Sequence, residues 1–318
     1  MTMRQALVVG INDYPTAPLT GCVPDANRIS RLLADNDDGS PNFSVRTLTK
    51  LDEIGTKALL RKHIEGLFVG SKVDVALFYF SGHGFLDSTG GYFVTPDATQ
   101  YDEGLSMETV IGLANNSPAR ERVIIIDCCN SGHFGSVTAL ATGASVLPEG
   151  VSVLTASRKN EAAVESAGQG VFTRLICDGL EGGASDVIGN VTASSLYSYV
   201  DEALGAWEQR PLFKSHVSRF TRLRLCKPVV PLEILRRLPT YFACPDVEFP
   251  LDPTYEPDAS PTHPEHEEVF GHLQKYRNAR LLEPVGADHM YYAALQSLSC
   301  RLTPLGRHYW RLAKEKKV

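Results

Sequence analysis

Apolar residues along the first two thirds of the chain fall alternately into short unbroken runs and into segments with helical spacing. Ala6-Leu-Val-Val-Gly10, Asp74-Val-Ala-Leu-Phe-Tyr-Phe80, Arg122-Val-Ile-Ile-Ile126 and Val151-Ser-Val-Leu-Thr155 are apolar almost throughout, the pattern of strands covered on both faces. Val45 to Leu48 and Tyr92-Phe-Val94 are shorter strand segments, and Phe220 to Leu225 closes the series. Between them, Pro24 to Leu33 places Ala26, Ile29, Leu32 and Leu33 on one helical face, and Thr56 to Phe68 starts on an N-capping threonine. Ser106 to Ala114, Phe172 to Leu180 and Ser194 to Leu204 also read as helices. Repeated βα units of this kind predict an α/β domain with a mostly parallel sheet and helices on both faces. Sites in such sheets collect at the carboxyl ends of strands. That rule points to Ser81-Gly-His-Gly84 and Asp127-Cys-Cys-Asn-Ser-Gly132, each directly after a core strand.

The pattern changes near Lys227. Nine prolines fall between Pro228 and Pro264, which predicts a linker or an irregular entry into a second domain. Order returns with a helix over Glu265 to Lys275 and an apolar, aromatic segment from Met290 to Leu298 that fits either a helix or a strand. Thr303 and Pro304 then form an N-cap and first helical position. The expected organisation is a domain over 1–226, a Pro-rich linker over 227–264 and a small α+β domain over 265–318, with a winged-helix-like module as one reading of the last.

Composition narrows the classes. Hydrophobic residues make up 43% and charged residues 21%, a globular balance that excludes wholesale disorder. The net charge of −6 argues against nucleic acid or an anionic membrane as the main partner. No apolar run approaches the roughly 20 residues that span a bilayer, and the start of the chain lacks a signal-peptide pattern, so a cytoplasmic protein is expected. The 7 cysteines are odd in number and lack metal-ligand spacing. In a reducing compartment they are thiols, one of which is available as a nucleophile.

Thiol catalysis of acyl transfer needs a thiolate, an imidazole to exchange its proton and donors for the developing oxyanion. His83 lies between two glycines just past a core strand, and the Gly84 backbone N–H is a candidate oxyanion donor. Side chains alternate across a strand, so Asp127 and Cys129 point one way and Cys128 the other. If Asp127 lines a pocket, Cys129 faces the site and Cys128 the core.

These two motifs, in this order and about 45 residues apart, resemble those of the caspase and metacaspase family, particularly its prokaryotic caspase-like members. The similarity extends to Gly10-Ile-Asn-Asp-Tyr14, to the stretch from Gly82 to Tyr92, to Leu154 to Glu161 and to Gly170-Val-Phe-Thr173, covering about Met3 to Leu225. The resemblance implies a six-stranded, mostly parallel sheet sandwiched by helices and a cysteine endopeptidase. His83 and Cys129 would form the dyad, with the Gly84 and Cys129 backbones as oxyanion hole. Metacaspases cut after Arg or Lys, and Asp127, Ser81, Cys22 and Asp25 match the positions of their substrate pocket. Two carboxylates suit a guanidinium that bonds bidentately. Taken as residues alone, Asp25 also reads as a helix cap or a favourable charge at the start of a helix, and Asp127 as a buried structural carboxylate.

Many metacaspases use calcium. Here the region after His83 offers Asp97, Asp102, Glu103 and Glu108 without an adjacent Asp-Asp pair, so no metal or other cofactor is expected. Between Cys129 and Val151 there is no Arg or Lys, so an enzyme cutting after basic residues cannot process itself there. Arg158, Lys159 and the Arg236-Arg237 pair are later sites. Activation by another protease or by a regulatory partner through the C-terminal domain follows. From Lys275 onward nine basic residues face three acidic ones, which suits DNA or, in the preferred reading, a protein-interaction surface. The implied setting is regulated proteolysis in bacterial stress, anti-phage defence or cell death. The alternative is a catalytically weak adaptor or sensor that acts by binding through its C-terminal domain.

Overall fold

The computed structural model describes residues 3–70, 72–86, 88, 90–128, 148–156, 165–166, 169–204 and 211–318. The chain divides into two compact units: Met1–Ser185 with Asn190–Lys227, and Asp186–Gly189 with Pro228–Val318.

The first unit runs β1 (Arg4–Gly10), α1 (Cys22–Ala34), β2 (Ser44–Leu48), α2 (Leu51–Ile54), α3 (Lys57–Phe68) and β3 (Val75–Ser81). It continues with β4 (Gly84–Leu86), β5 (Gly91–Thr99), β6 (Asp102–Ser106), α4 (Met107–Asn115), β7 (Glu121–Asp127) and β8 (Val151–Thr155). After the two-residue strands β9 (Glu165–Ser166) and β10 (Gln169–Gly170) come α5 (Val171–Asp178), β11 (Asn190–Thr192), α6 (Ala193–Leu204), β12 (Leu212–His216) and β13 (Arg222–Leu225). Six strands form one sheet in the order β12-β8-β7-β3-β1-β2. All neighbours are parallel except the antiparallel pair of β12 and β8.

The unbroken apolar runs form this sheet because each central strand is covered twice. One face carries Val9, Phe78, Phe80, Ile124 and Ile126 against residues of α3 and α4. The other carries Val8, Leu77, Tyr79, Val123 and Ile125 against residues of α1, α5 and α6. Thr56 caps α3, its hydroxyl accepting from the Leu59 N–H at 3.2 Å.

The closing strand differs from expectation. Phe220 to Leu225 does not extend the main sheet; β13 pairs antiparallel with β11 in a separate two-stranded ribbon. The sixth strand is β12, Leu212–His216, whose side chains are half-buried or exposed. A strand at a sheet edge has no unbroken apolar signature, which is why the pattern passed it by.

The second unit contains α7 (Leu232–Leu235), α8 (Leu238–Tyr241), β14 (Glu248–Pro250), α9 (Pro264–Asn278), β15 (Leu282–Val285), α10 (Met290–Leu295), β16 (Ser299–Leu302) and α11 (Pro304–Lys314). Its antiparallel sheet has the order β14-β16-β15. The Pro-rich stretch, read above as a linker, supplies Val230, Ile234, Leu235, Leu238, Phe242 and Leu251 to this unit's core beside Phe270, Leu273 and Tyr276. Pro231, Pro239, Pro253 and Pro264 sit at helix starts and Pro250 ends the edge strand β14, positions where no backbone donor is needed. Of the Met290 to Leu298 segment, Met290–Leu295 forms helix α10, and Thr303 caps α11 through the Gly306 N–H at 3.1 Å.

Candidate active site

The carboxyl ends of three adjacent strands line up. Gly10 of β1 pairs with Ser81 of β3, and Ser81 pairs with Asp127 of β7. Ser81 and Asp127 are both buried. Above Gly10 lies the start of α1. A Cβ on Gly10 would overlap the Cys22 carbonyl oxygen and come within 2.7 Å of the Ala26 Cβ. Glycine is therefore what lets the helix settle on the strand end, and it brings Cys22 and Asp25, both buried, to the same edge of the sheet as Ser81 and Asp127. Gly21 is the N-cap of α1; Asp25 lies inside the helix.

Asp25 and Asp127 act on one phenol. The hydroxyl of the fully buried Tyr79 is pushed well above its ordinary range, first by burial and then by the charges of Asp127 and Asp25. The Asp127 Oδ2 accepts from the Thr173 hydroxyl at 2.7 Å and from the Thr173 N–H at 3.3 Å. Thr173 is in the first turn of α5 and its hydroxyl lies 2.6 Å from that of Tyr79.

His83 follows β3 after one residue and is half-buried. Its backbone N–H donates to the Tyr14 hydroxyl at 3.0 Å, and its carbonyl accepts from Val94 N–H at 3.0 Å. The two rings lie with centroids 4.6 Å apart. Burial raises the Tyr14 phenol far above its usual range, so it keeps its proton and donates to the Val94 carbonyl at 3.3 Å. A Cβ on Gly82 would stand 2.5 Å from that hydroxyl, so the first glycine of Ser-Gly-His-Gly makes room for Tyr14. The Nε2 of His83 lies 2.7 Å from the carbonyl oxygen of Ala17. A carbonyl only accepts, so Nε2 carries hydrogen and Nδ1 holds the lone pair of the neutral ring.

The loop that presents Ala17 is pinned by Asn12. Its carbonyl accepts from the N–H groups of Tyr14 at 3.0 Å and Leu19 at 2.9 Å. Its amide donates to the Thr20 carbonyl at 3.1 Å and accepts from the Val23 N–H of α1 at 3.2 Å. Ala17 has φ of 58°, a left-handed conformation that only a restrained loop holds on a residue other than glycine.

Cys128 is buried in the core with Ile126, Phe80 and Tyr14, on the sheet face opposite Asp127 and Thr173. Alternation along β7 is thus visible up to Cys128; Cys129 lies outside the described residues, as do Arg158 and Lys159. Gly84 is half-buried and opens β4 opposite Phe93. Of the acidic residues after His83, Asp97 accepts from the Lys57 N–H at 3.1 Å and from the Thr95 hydroxyl, and Asp102 pairs with Lys57 Nζ at 2.7 Å. Among the described residues no three His, Cys, Asp or Glu side chains come together in a way that holds a metal ion, and no helix is long and apolar enough to cross a membrane.

Four contributors have little or no sequence signal of their own: Tyr14, Asn12, the Ala17 carbonyl and Thr173. Tyr14 and Asn12 stand in Gly10-Ile-Asn-Asp-Tyr14 and Thr173 ends Gly170-Val-Phe-Thr173, both already noted as similar to the family, but their contacts depend on the tertiary fold.

The caspase domain of the peptidase C14 family matches residues 3–221. Two solved structures are similar in fold. Protein GSU0716 of Geobacter sulfurreducens is 16% identical with a TM-score of 0.52, covering 71% of this chain and 100% of that one. Caspase-1 of Spodoptera frugiperda is 14% identical with a TM-score of 0.50, covering 71% of this chain and 91% of that one. No curated protein matches the chain.

Proposed function

The chain belongs to the caspase-domain family of peptidases, and on that premise we propose that it is a cysteine endopeptidase cutting proteins after arginine or lysine. The observation that carries the reading is the tethered imidazole: His83 gives its Nε2 hydrogen to the Ala17 carbonyl, which leaves Nδ1 as the proton acceptor.

In the proposed reaction Cys129 passes its thiol proton to Nδ1 and the sulfur attacks the carbonyl carbon of the scissile bond. The backbone N–H groups of Gly84 and Cys129 receive the oxyanion. His83 then protonates the leaving amine, and the acyl-enzyme is opened by water that gives its proton back to the imidazole. The Ala17 carbonyl keeps the Nε2 hydrogen in place through these steps, so proton exchange takes place at Nδ1. Asp25 and Asp127, with Ser81 and Cys22, receive the basic side chain before the cut. Their support is the shared strand-end edge and the common action of both carboxylates on Tyr79.

Control is proposed to come from outside the catalytic unit, by an activating protease or by a protein partner of the C-terminal unit. In that unit α10 leaves Tyr291, Tyr292 and Leu295 exposed, a surface that suits protein contact. Regulated proteolysis in stress, defence or cell death is the setting this implies.

Fluorogenic peptides with Arg, Lys, citrulline or Asp before the cut, offered to the wild type and to Cys129→Ala, test the reading. Turnover of the Arg and Lys peptides by the wild type alone is the expected result. Turnover that survives in Cys129→Ala, or selectivity for Asp, would sink it.

A further inference from the structure

We propose that Thr173 and Tyr79 are positioning residues of the substrate pocket, which hold the Asp127 carboxylate in the orientation that receives the basic side chain; this rests on the peptidase reading above and deepens it.

The hydroxyl of Thr173 has one hydrogen, and the carboxylate of Asp127 at 2.7 Å takes it. The 2.6 Å contact between the Thr173 and Tyr79 hydroxyls must then be donated by Tyr79. The result is a one-way chain, Tyr79 O–H to Thr173 Oγ1, and Thr173 O–H to Asp127 Oδ2. The Thr173 N–H adds a second bond to the same oxygen at 3.3 Å. Tyr79 and Thr173 have no exposed surface and Asp127 is only 7% exposed, so water does not compete for these bonds. Each donor in the chain polarises the next, and the chain ends on a charge, where such bonds are strongest.

The placement of the partners explains why the chain needs them. Asp127 is the last residue of β7 and pairs with Ser81 of β3. Thr173 comes from the first turn of α5, 46 residues further on, and Tyr79 from the neighbouring strand β3. Helix α5 therefore holds one carboxylate oxygen directly, through Thr173, and β3 supports that hold indirectly, through the Tyr79 hydroxyl on Thr173. A guanidinium needs a carboxylate held in a fixed plane to bond it with a fork of two hydrogens. The same bonds would also serve if Asp127 did no more than anchor the start of α5. In that case the loss of Thr173 would cost stability and leave selectivity unchanged.

The test compares peptides with Arg and with citrulline before the cut, since citrulline keeps the shape and loses the charge. In Thr173→Val, KM for the Arg peptide is expected to rise about tenfold with kcat nearly unchanged, and Arg-over-citrulline discrimination to shrink by a similar factor. Thr173→Ser, which keeps the hydroxyl, is expected to restore both. Tyr79→Phe keeps the ring, is expected to reduce discrimination about threefold, and decides the case should Thr173→Val fail to fold. Folded Thr173→Val with wild-type KM and discrimination overturns the placement, as does unchanged discrimination in Tyr79→Phe. A wild type that turns over no Arg or Lys peptide is a different result and overturns the peptidase reading itself.

Discussion

The His83 Nε2 donates to the carbonyl oxygen of Ala17 across 2.7 Å, a bond between groups 66 residues apart. It ties the loop after β1 to the residue after β3, and it fixes which ring nitrogen bears hydrogen. Ala17 holds its carbonyl there in a left-handed conformation, with φ of 58°, at a cost of about 1–2 kcal/mol. The four bonds of Asn12 offset that cost by closing the loop on itself and on α1.

Asn12 is accordingly expected to govern catalysis without touching substrate. Asn12→Ala removes the two side-chain bonds and should cost about 1–3 kcal/mol of stability. The released loop also frees the imidazole, so kcat should fall about tenfold or more while KM changes little. Urea titration and steady-state kinetics on an Arg peptide check both. Wild-type kcat in a folded Asn12→Ala protein would mean that the Ala17 carbonyl is held by other contacts.

Gly10 is the point where α1 rests on β1. In Gly10→Ala the new methyl meets the Cys22 carbonyl and the Ala26 side chain, so the helix must move. A loss of about 1–3 kcal/mol follows from overpacking. Because Cys22 and Asp25 ride on that helix, the proposed pocket should loosen, with KM for Arg peptides rising. Thermal melting and KM measured on the same preparation would show whether the two effects travel together.

How much of this was legible beforehand depends on where the physical signal lies. The central strands announced themselves because each is buried on two faces, and the ends of β3 and β7 drew attention to His83, Ser81 and Asp127. Strand alternation also assigned Cys128 to the core, where it lies. Strand β12 was missed because an edge strand such as Leu212–His216 mixes apolar and polar side chains. The folded stretch after Lys227 looked like a linker because proline content is local, whereas burial of Leu238 and Phe242 depends on α9, more than twenty residues later. The Ala17 carbonyl is a backbone atom present in every residue type, so no composition or motif marks it. Thr173 bonds Asp127 across 46 residues, and only the folded sheet brings them together.

A half-buried histidine of α3, His63, gives the first unit a pH dependence. Burial lowers the His63 pKa below its ordinary 6.5, helped by the charges of Arg46 and Lys62 and opposed by Glu53. The folded form thus resists protonation more than the unfolded chain does. Below pH 6.5 the unfolded chain binds more protons, so stability falls as pH drops through that value toward the lower folded pKa. His63→Gln removes this contribution and should flatten the fall between neutral and mildly acidic pH. Denaturant titrations of both proteins across that range test it; parallel curves would assign the acid sensitivity to other groups.

The proposed specificity bears directly on how the chain can be processed. No Arg or Lys occurs between Cys129 and Val151, so the wild-type enzyme should leave that stretch intact even at high concentration and long incubation. Arg236 and Arg237 are basic but poorly presented. Their N–H groups bond back to the carbonyls of Leu232 and Ile234, Arg236 Nε donates to the Val318 carbonyl at 3.0 Å, and Arg237 pairs with Glu268 at 3.1 Å. A peptidase that reads an extended segment must first unfold these turns, so cleavage there should be slow until the second unit is destabilised. Mass spectrometry of aged protein distinguishes the outcomes. Fragments ending after Arg158 or Lys159 are compatible with a basic specificity. A fragment beginning between residues 130 and 151 is not, unless Cys129→Ala produces it too, in which case a contaminating protease made the cut.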